Sequence, residues 1–151
     1  MGKYYFKTDI VEGLEGEKVV KDFLTNKGME FISSNDDNKY DLLFKKKNKF
    51  VTYEIKTDTF VTKDNDTKNI FIEYETRNKK SGLSVTEADW FVYFYFNLNE
   101  LWFIKTEKLK KLINHKLVRT VNNSGDPNSN TKGYLIPRIS LKKNFMVYDI
   151  T

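Results

Sequence analysis

Apolar residues near the start of the chain recur at the spacing of an α-helix. Residues 14–27 place five of them on one face: Leu14, Val19, Val20, Phe23 and Leu24. A helix that packs one side against a core has this pattern. Gly28 follows, and glycine is the residue most often found just beyond the C-terminus of a helix. The pattern therefore predicts a helix over residues 14–27.

Short apolar or alternating runs follow this helix and predict a series of strands. We expect strands over residues 29–33, 40–44, 50–57, 70–76, 90–96 and 101–104, with two more short strands within residues 134–150. The run over residues 90–96, Trp-Phe-Val-Tyr-Phe-Tyr-Phe, is apolar throughout. It predicts a buried strand that pairs with the strand after it.

Polar segments between these runs predict the connections. Residues 45–49 are expected to form a basic hairpin turn, residues 77–82 a basic loop and residues 122–133 the longest loop. The segment Ser84-Val85-Thr86-Glu87 has the spacing of a capping box and predicts the start of a short helix. Residues 107–114 have the pattern of an amphipathic helix. His115 follows it, at a position where the helix dipole stabilises a cation.

The order of these elements predicts an α/β fold. A helix, an antiparallel strand meander, a short helix and further strands would form a mixed sheet flanked by helices. The length of 151 residues is typical of one domain, so we expect residues 1–151 to form a single domain with its own core. The aromatic content of 15% favours a packed globular fold over a disordered chain.

Composition excludes several classes of site and partner. The chain has no cysteine and one histidine, which excludes disulfides, catalytic thiolates and cysteine-bound zinc and argues against a Ser-His-Asp triad. No apolar stretch has transmembrane length, and the first residues lack the apolar core of a signal peptide. We therefore expect a cytoplasmic protein with no membrane partner. The net charge of +5 is compatible with a polyanionic partner.

Opposite charges occur inside the predicted strand over residues 50–57. Because residues two apart in a strand share a face, Glu54 and Lys56 point to one side with Asp58. Tyr53 and Ile55 then point to the other side, into the core. The strand thus presents one charged face and one apolar face.

An aspartate on the preceding strand is expected to lie beside this charged face. The hairpin over residues 45–49 brings Asp41 next to Glu54 and Lys56, since neighbouring strands are about 4.8 Å apart. Asp41 and Glu54 can hold Mg²⁺, which takes oxygen ligands and keeps several waters. A bound metal acidifies water and offsets the charge of a phosphate. Lys56 can position the attacking water or stabilise the charge that develops.

The pattern Asp41…Glu54-x-Lys56 resembles the active site of the PD-(D/E)XK nuclease superfamily, the fold of many restriction enzymes and Holliday-junction resolvases. The segment 16–24, Gly-Glu-Lys-Val-Val-Lys-Asp-Phe-Leu, is similar to that family's first helix, whose glutamate joins the metal site and matches Glu17. The family's strand order also fits residues 14–105, and parts of residues 70–90 are similar to phage-encoded members. Where the family has a proline before the aspartate, this chain has Tyr40.

The resemblance implies a restriction-endonuclease-like fold and a DNA endonuclease of phage or mobile-element type. It implies dependence on Mg²⁺ or Mn²⁺, with Asp41, Glu54 and Glu17 as metal ligands and Lys56 as a further catalytic residue. Branched DNA is a substrate of the junction-resolving members. These act as homodimers, so a homodimer follows for this chain by analogy alone.

The basic loop adds a candidate nucleic-acid contact. Arg77, Lys79 and Lys80 are placed to bind phosphates, although a solvated loop would have the same composition. Glu73 and Glu75 share a face of the fourth strand. They either approach the site or line an exposed edge.

Alternatives to a catalytic site stay open at the level of sequence. The tripeptide [DE]-x-K occurs three times, at residues 37–39, 54–56 and 66–68, and only the middle copy lies in a predicted strand. Glu54 and Lys56 can also form a solvated ion pair, and Glu17 can be an ordinary polar residue in the first turn of a helix. The rival functions are an RNase, a single-strand nuclease or a restriction subunit of the same fold. A non-catalytic nucleic-acid-binding or inhibitory protein that retains the nuclease fold is the alternative from a different class.

Overall fold

The computed structural model describes residues 15–35, 37, 39–66, 68–113, 119–123 and 130–151. These residues form a six-stranded mixed sheet, a four-stranded antiparallel sheet and two α-helices. Helix α1 comprises residues 15–26 and α2 comprises Thr106–Ile113. Neither helix, within these ranges, is long and apolar enough to cross a membrane.

The described residues contain ten strands, which are divided between the two sheets. They are β1 Glu30–Ser34, β2 Leu42–Lys46, β3 Lys49–Asp58, β4 Asn69–Thr76, β5 Lys79–Lys80, β6 Trp90–Tyr95, β7 Glu100–Lys105, β8 Arg119–Asn123, β9 Thr131–Pro137 and β10 Met146–Asp149. The six-stranded sheet has the order β1-β2-β3-β6-β7-β10, and only the β3–β6 pair is parallel. The four-stranded sheet has the order β5-β4-β9-β8.

Helix α1 and the four-stranded sheet cover opposite faces of the six-stranded sheet. Val20 and Leu24 of α1 pack in one core with Tyr53, Ile55 and Val92. The other core joins side chains of β4 and β9 to those of β6, β7 and α2: Ile70, Ile72, Ile136, Phe91, Tyr93, Trp102 and Leu109. Strand β6 thus sends alternate side chains into both cores, which is why its sequence is apolar throughout.

The hairpin between β2 and β3 is tighter than the sequence predicts. Its turn is confined to Lys47 and Asn48, whose φ angles are 48° and 67°, and two central residues with positive φ are typical of a type I′ turn. The predicted strand over residues 40–44 is therefore wrong by two positions, and the predicted turn over residues 45–49 is too long. The flanking lysines lie in the strands, where their long side chains still reach water.

The short helix predicted to begin at Ser84 is wrong. The chain instead makes one 3₁₀ turn over Gly82–Ser84. Thr86 does not cap a helix, because its hydroxyl donates to the Lys39 carbonyl oxygen at 3.0 Å. The Ser84 hydroxyl donates to the Tyr74 carbonyl oxygen at 2.8 Å. Contacts with residues distant in sequence therefore outcompete the local capping box.

The mixed α/β sheet and the helix over residues 107–114 are confirmed, the latter with a shift of one residue. The four-stranded sheet was not expected. The basic loop 77–82 contains β5, and the long loop 122–133 overlaps the ends of β8 and β9. His115 and residues 124–129 lie outside the described residues.

A buried ion pair ties the end of β9 to the loop before β4. The guanidinium of Arg138 donates to the carboxylate of Asp66, and it lies over the ring of Tyr95 at 4.8 Å from the centroid. Burial would raise the pKa of Asp66, but hydrogen bonds from Arg138 and from the backbone N–H of Lys68 lower it overall. The pair joins Asp66, at the end of the segment 59–66, to Arg138, which directly follows β9.

Candidate active site

Asp41 is held at the end of the β2–β3 hairpin by backbone contacts. Its N–H donates to the Tyr53 carbonyl oxygen at 2.9 Å, and its carboxylate Oδ2 accepts the N–H of Ile55 at 2.7 Å. In the register that pairs Leu42 with Tyr53, the residue opposite Asp41 is Glu54. Residues directly opposite in an antiparallel pair share a face. Asp41 and Glu54 therefore both face away from α1.

Glu54 is buried, although it belongs to the charged face. It is 9% exposed, and its side chain lies on the face of β3 opposite to α1. The ammonium Nζ of Lys56 lies 3.4 Å from Glu54 Oε1. The hydroxyl of Thr86 lies 3.5 Å from Glu54 Oε2. The Lys56 side chain is 42% exposed, so the lysine opens to solvent while its partner does not.

Burial makes both carboxylates harder to ionise. It raises the pKa of Glu54 above the ordinary 4.5, Lys56 opposes this effect, and the charge of Asp41 reinforces it. Burial likewise raises the pKa of Asp41 above the ordinary 3.8, against the Ile55 hydrogen bond and the Lys56 charge. The positive charge of Lys56 therefore does not fully offset the burial of the two neighbouring carboxylates, and further positive charge would stabilise their ionised forms.

These residues line a cleft of about 410 Å³ between the two sheets, which we name the basic cleft. One side holds Asp41, Glu54 and Lys56, and the other holds Arg77, Lys79 and Lys80; the remaining lining residues are Asp37, Glu73, Thr76, Ser81, Gly82 and Val85. The structure thus brings the predicted phosphate contacts onto the same cleft as the predicted catalytic residues. The two groups lie on different hairpins, and some 20 residues separate Lys56 from Arg77 in the sequence.

A type I′ turn presents the basic residues. Arg77 and Asn78 form the turn between β4 and β5, with φ angles of 51° and 63°. Ion pairing of Glu75 with Lys132 at 3.0 Å fastens β4 to β9 next to this hairpin. Arg77, Lys79 and Lys80 are exposed, which leaves their charged groups available to a phosphate.

The chain then turns back tightly across β4. Gly82 has a φ of 50°, and a Cβ there would lie 2.3 Å from the carbonyl oxygen of Glu73. Only glycine fits so close an approach with positive φ. Beside it, the hydroxyl of Ser81 is buried without a hydrogen-bond partner among the described residues. This hydroxyl adds an unused donor to the wall of the basic cleft.

The other acidic candidates have different surroundings. Glu17 lies half-buried in α1 and does not line the basic cleft. Asp58 Oδ1 accepts the N–H groups of Phe60 and Val61, each at 2.9 Å, and so holds the following loop. Glu75 is engaged by Lys132, whereas Glu73 lines the cleft. Thr86 is the residue that sequence reasoning missed, because the pattern treated it only as an internal position of the capping box from Ser84 to Glu87.

The carboxylate oxygens of Asp41 and Glu54 are ligands of the type that a hard cation binds. Asp41 Oδ1 accepts no hydrogen bond from any described residue, and carboxylate oxygens are the ligands that Mg²⁺ and Mn²⁺ prefer. Within the described ranges, no group of three or more acidic or histidine side chains is arranged to hold a metal. A metal at this cleft would therefore be held by Asp41 and Glu54, with water completing its coordination.

The other two copies of the tripeptide have structural roles. Asp37 Oδ1 accepts the N–H of Lys39 at 2.8 Å and closes a turn. Lys68 lies 3.5 Å from Asp66, which also binds Arg138. Neither of these lysines lines the basic cleft. Of the three copies, only the one at residues 54–56 places both its acidic residue and its lysine in the basic cleft.

Comparison of the chain with protein-family models, with curated proteins and with solved structures finds no match.

Proposed function

We propose that this protein is a Mg²⁺- or Mn²⁺-dependent endonuclease that hydrolyses phosphodiester bonds in DNA. The observation that supports the proposal is that Asp41, Glu54 and Lys56 share one cleft with Arg77, Lys79 and Lys80. Acidic oxygens for a cation, a lysine for the reacting phosphate and basic groups for the backbone are the components that phosphodiester hydrolysis requires. The resemblance to the PD-(D/E)XK nucleases assigns them the same roles.

Each residue has a defined task in this proposal. Asp41 and Glu54 would hold the cation, which supplies an acidified water and offsets phosphate charge. Lys56 lies beside Glu54 with its ammonium open to the cleft, so it can orient the water or stabilise the charge on the phosphate. The Thr86 hydroxyl, which donates to the Lys39 carbonyl oxygen, lies 3.5 Å from the Glu54 carboxylate. Arg77, Lys79 and Lys80 hold the flanking phosphates.

A non-catalytic nucleic-acid-binding protein is the second candidate function. It is favoured by the existing contacts of Glu54, whose two oxygens face Lys56 and Thr86. It is also favoured by the absence of Glu17 from the residues that line the basic cleft. In that case the basic cleft would bind a strand without cutting it.

Metal-dependent cleavage separates the two candidates. We expect purified protein to nick and linearise supercoiled plasmid with Mg²⁺ or Mn²⁺, to bind DNA with little turnover in Ca²⁺, and to lose cleavage in EDTA. The measurement is gel analysis of plasmid over time, with junction, flap, single-stranded and RNA substrates tested in parallel. Cleavage that persists fully in EDTA, or DNA binding without cleavage in any of the metals, contradicts the endonuclease proposal.

The basic cleft also predicts a specific salt dependence. Affinity for DNA should fall steeply between about 50 and about 200 mM salt, because neutralised phosphates release counterions. Changing Arg77, Lys79 and Lys80 together to Gln should reduce the slope of log affinity against log salt by about 2, since each single-strand phosphate contact contributes about 0.7. Fluorescence anisotropy across a salt series measures this slope.

The matched control removes three lysines at the opposite end of the β2–β3 hairpin. Lys46, Lys47 and Lys49 are exposed and do not line the basic cleft. Changing them to Gln alters net charge by the same amount and should leave the slope close to that of the unmodified protein. Equal slopes for the two triple variants would exclude the β4–β5 hairpin from the nucleic-acid path.

A further inference from the structure

A second cleft adjoins the basic cleft and is lined mainly by aromatic side chains. It has a volume of about 300 Å³, and we name it the aromatic cleft. Its lining residues are Phe60, Phe71, Phe91, Tyr93 and Tyr95 with Lys56, Thr57, Asp58, Glu73 and Gly82. Lys56, Glu73 and Gly82 belong to both clefts. The candidate catalytic lysine thus stands between a basic and an aromatic compartment.

Buried rings form the inner part of the aromatic cleft. Phe91, Tyr93 and Tyr95 project from β6 and are almost wholly buried. Phe91 and Tyr93 lie nearly parallel, with ring centroids 6.1 Å apart. Burial raises the pKa of Tyr93 well above the ordinary value, so its phenol stays neutral. These rings give the inner part of the cleft an apolar surface, while the charged residues Lys56, Asp58 and Glu73 also line the cleft.

Phe60 stands at the edge of this cleft on a loop that is firmly held. Its side chain is 85% exposed, yet Asp58 accepts the backbone N–H groups of Phe60 and Val61. The Asn97 side chain donates to the Thr59 carbonyl oxygen at 2.8 Å, and Val61 is buried in the core. These hydrogen bonds therefore hold the backbone of Phe60 in place beside the cleft, which lowers the cost of ordering this loop on binding.

We propose that the aromatic cleft receives an unpaired nucleobase of the nucleic acid that the basic cleft binds. This inference rests on the proposed function for its ligand. A nucleotide joins an anionic phosphate to a flat base through one sugar, and Lys56 at the boundary can contact the phosphate while the base enters beside Phe60. Stacking on aromatic rings is the general means by which proteins bind bases of single strands.

The geometry also excludes a paired base. A base inside a duplex is covered by its neighbours on both faces and by its partner on one edge, so it must leave the stack to contact Phe60. The preferred substrate is therefore a strand with unpaired nucleotides next to the cut phosphate, such as a single strand, a flap, an opened branch or a locally unwound segment of supercoiled plasmid. Intact duplex should bind through the basic cleft alone.

The test compares a single-stranded DNA with a strand of equal length and charge in which every base has been removed. Affinities are measured by anisotropy in EDTA, so that no cleavage occurs. We expect the unmodified protein to bind the intact strand about 5- to 100-fold more tightly than the abasic strand, the range for one stacked base. Phe60→Ala should lose most of this preference, because its affinity for the intact strand should fall while its affinity for the abasic strand stays the same. Phe60→Tyr should keep the preference.

Phe50 supplies the matched control. It is another exposed phenylalanine, 61% exposed at the distant end of β3, and lines neither cleft. Phe50→Ala should keep the full preference for the intact strand. The inference is overturned if the unmodified protein binds intact and abasic strands equally, or if Phe60→Ala keeps the preference. If either of these results is found and the protein still cleaves plasmid with Mg²⁺, the inference about the base fails and the nuclease proposal is unaffected. A base preference without cleavage in any metal would remove the nuclease proposal and keep the pocket.

Discussion

Replacing Lys56 by alanine should lower single-turnover DNA cleavage by a factor of about 100 or more, the scale of one lost electrostatic group in a transition state. DNA affinity should change little, because Arg77, Lys79 and Lys80 still hold the backbone. The physical reason is the position of the ammonium, which lies 3.4 Å from Glu54 and opens to the cleft where the two compartments meet. The measurement is a single-turnover rate at saturating protein, with affinity determined in Ca²⁺.

Lys68→Ala is the control for this variant. Lys68 belongs to the same [DE]-x-K tripeptide and has a similar ion-pair distance of 3.5 Å to Asp66, but it lies outside both clefts. An exposed pair of this kind contributes under about 1 kcal/mol to stability, so Lys68→Ala should cleave at the normal rate. If Lys56→Ala also cleaves at the normal rate, Glu54 and Lys56 form only a salt bridge.

Changing Asp41 to Asn or Glu54 to Gln should reduce metal-dependent cleavage by more than about 100-fold. Residues that merely support metal ligands already cost about 10- to 100-fold when lost, and these two residues are proposed as the ligands themselves. The amides keep the shape of the carboxylates and remove one negative charge. Metal affinity, measured by titration calorimetry with Mn²⁺, should fall together with the cleavage rate. Normal metal affinity in both variants would contradict the assignment of ligands.

The same variants should be more stable than the unmodified protein when metal is absent. Burial raises the pKa of both carboxylates, so the folded state holds protons that the unfolded state has lost. Stability therefore increases as the pH falls through the raised values, and this gain is complete below the ordinary values of 3.8 and 4.5. Thermal unfolding in EDTA across pH should show the gain in the unmodified protein and a smaller one in each variant. Glu17→Ala, outside the cleft, serves as the comparison.

Alternation along β3 was sufficient to predict which side chains share a face. The local pattern placed Glu54 and Lys56 on one side and Tyr53 and Ile55 on the other, as the structure has them. It also predicted the antiparallel neighbour that brings Asp41 alongside. These relations depend on residues within one hairpin, and the pleat of a strand fixes them.

The burial of Glu54 was not predictable in the same way. Glu54 contacts Thr86, which lies 32 residues further along the chain, and the opposite wall of its cleft belongs to a sheet in which β4 pairs with β9 across more than 50 intervening residues. No periodicity within a short window records such a pairing. The same holds for Thr86, whose hydroxyl binds the carbonyl of Lys39 although the local spacing favours a helix cap. The apolar run over residues 90–96 predicted the burial of Tyr93, but no sequence pattern assigned a position to Phe60, and only the fold shows that its ring is exposed at the edge of a cleft.

The pairing of β4 with β9 has a consequence for protein synthesis. The β4–β5 hairpin carries Arg77, Lys79 and Lys80, but its second strand, β5, has only two residues. The other neighbour of β4 in the sheet is β9. A hairpin with so little pairing is not stable alone in water. Until the ribosome has made β9, the growing chain contains Asp41, Glu54 and Lys56 but lacks a stable β4–β5 hairpin to form the opposite wall of the basic cleft. The complete cleft therefore arises only after residues 131–137 have been made, and the proposed cleavage would not begin before then.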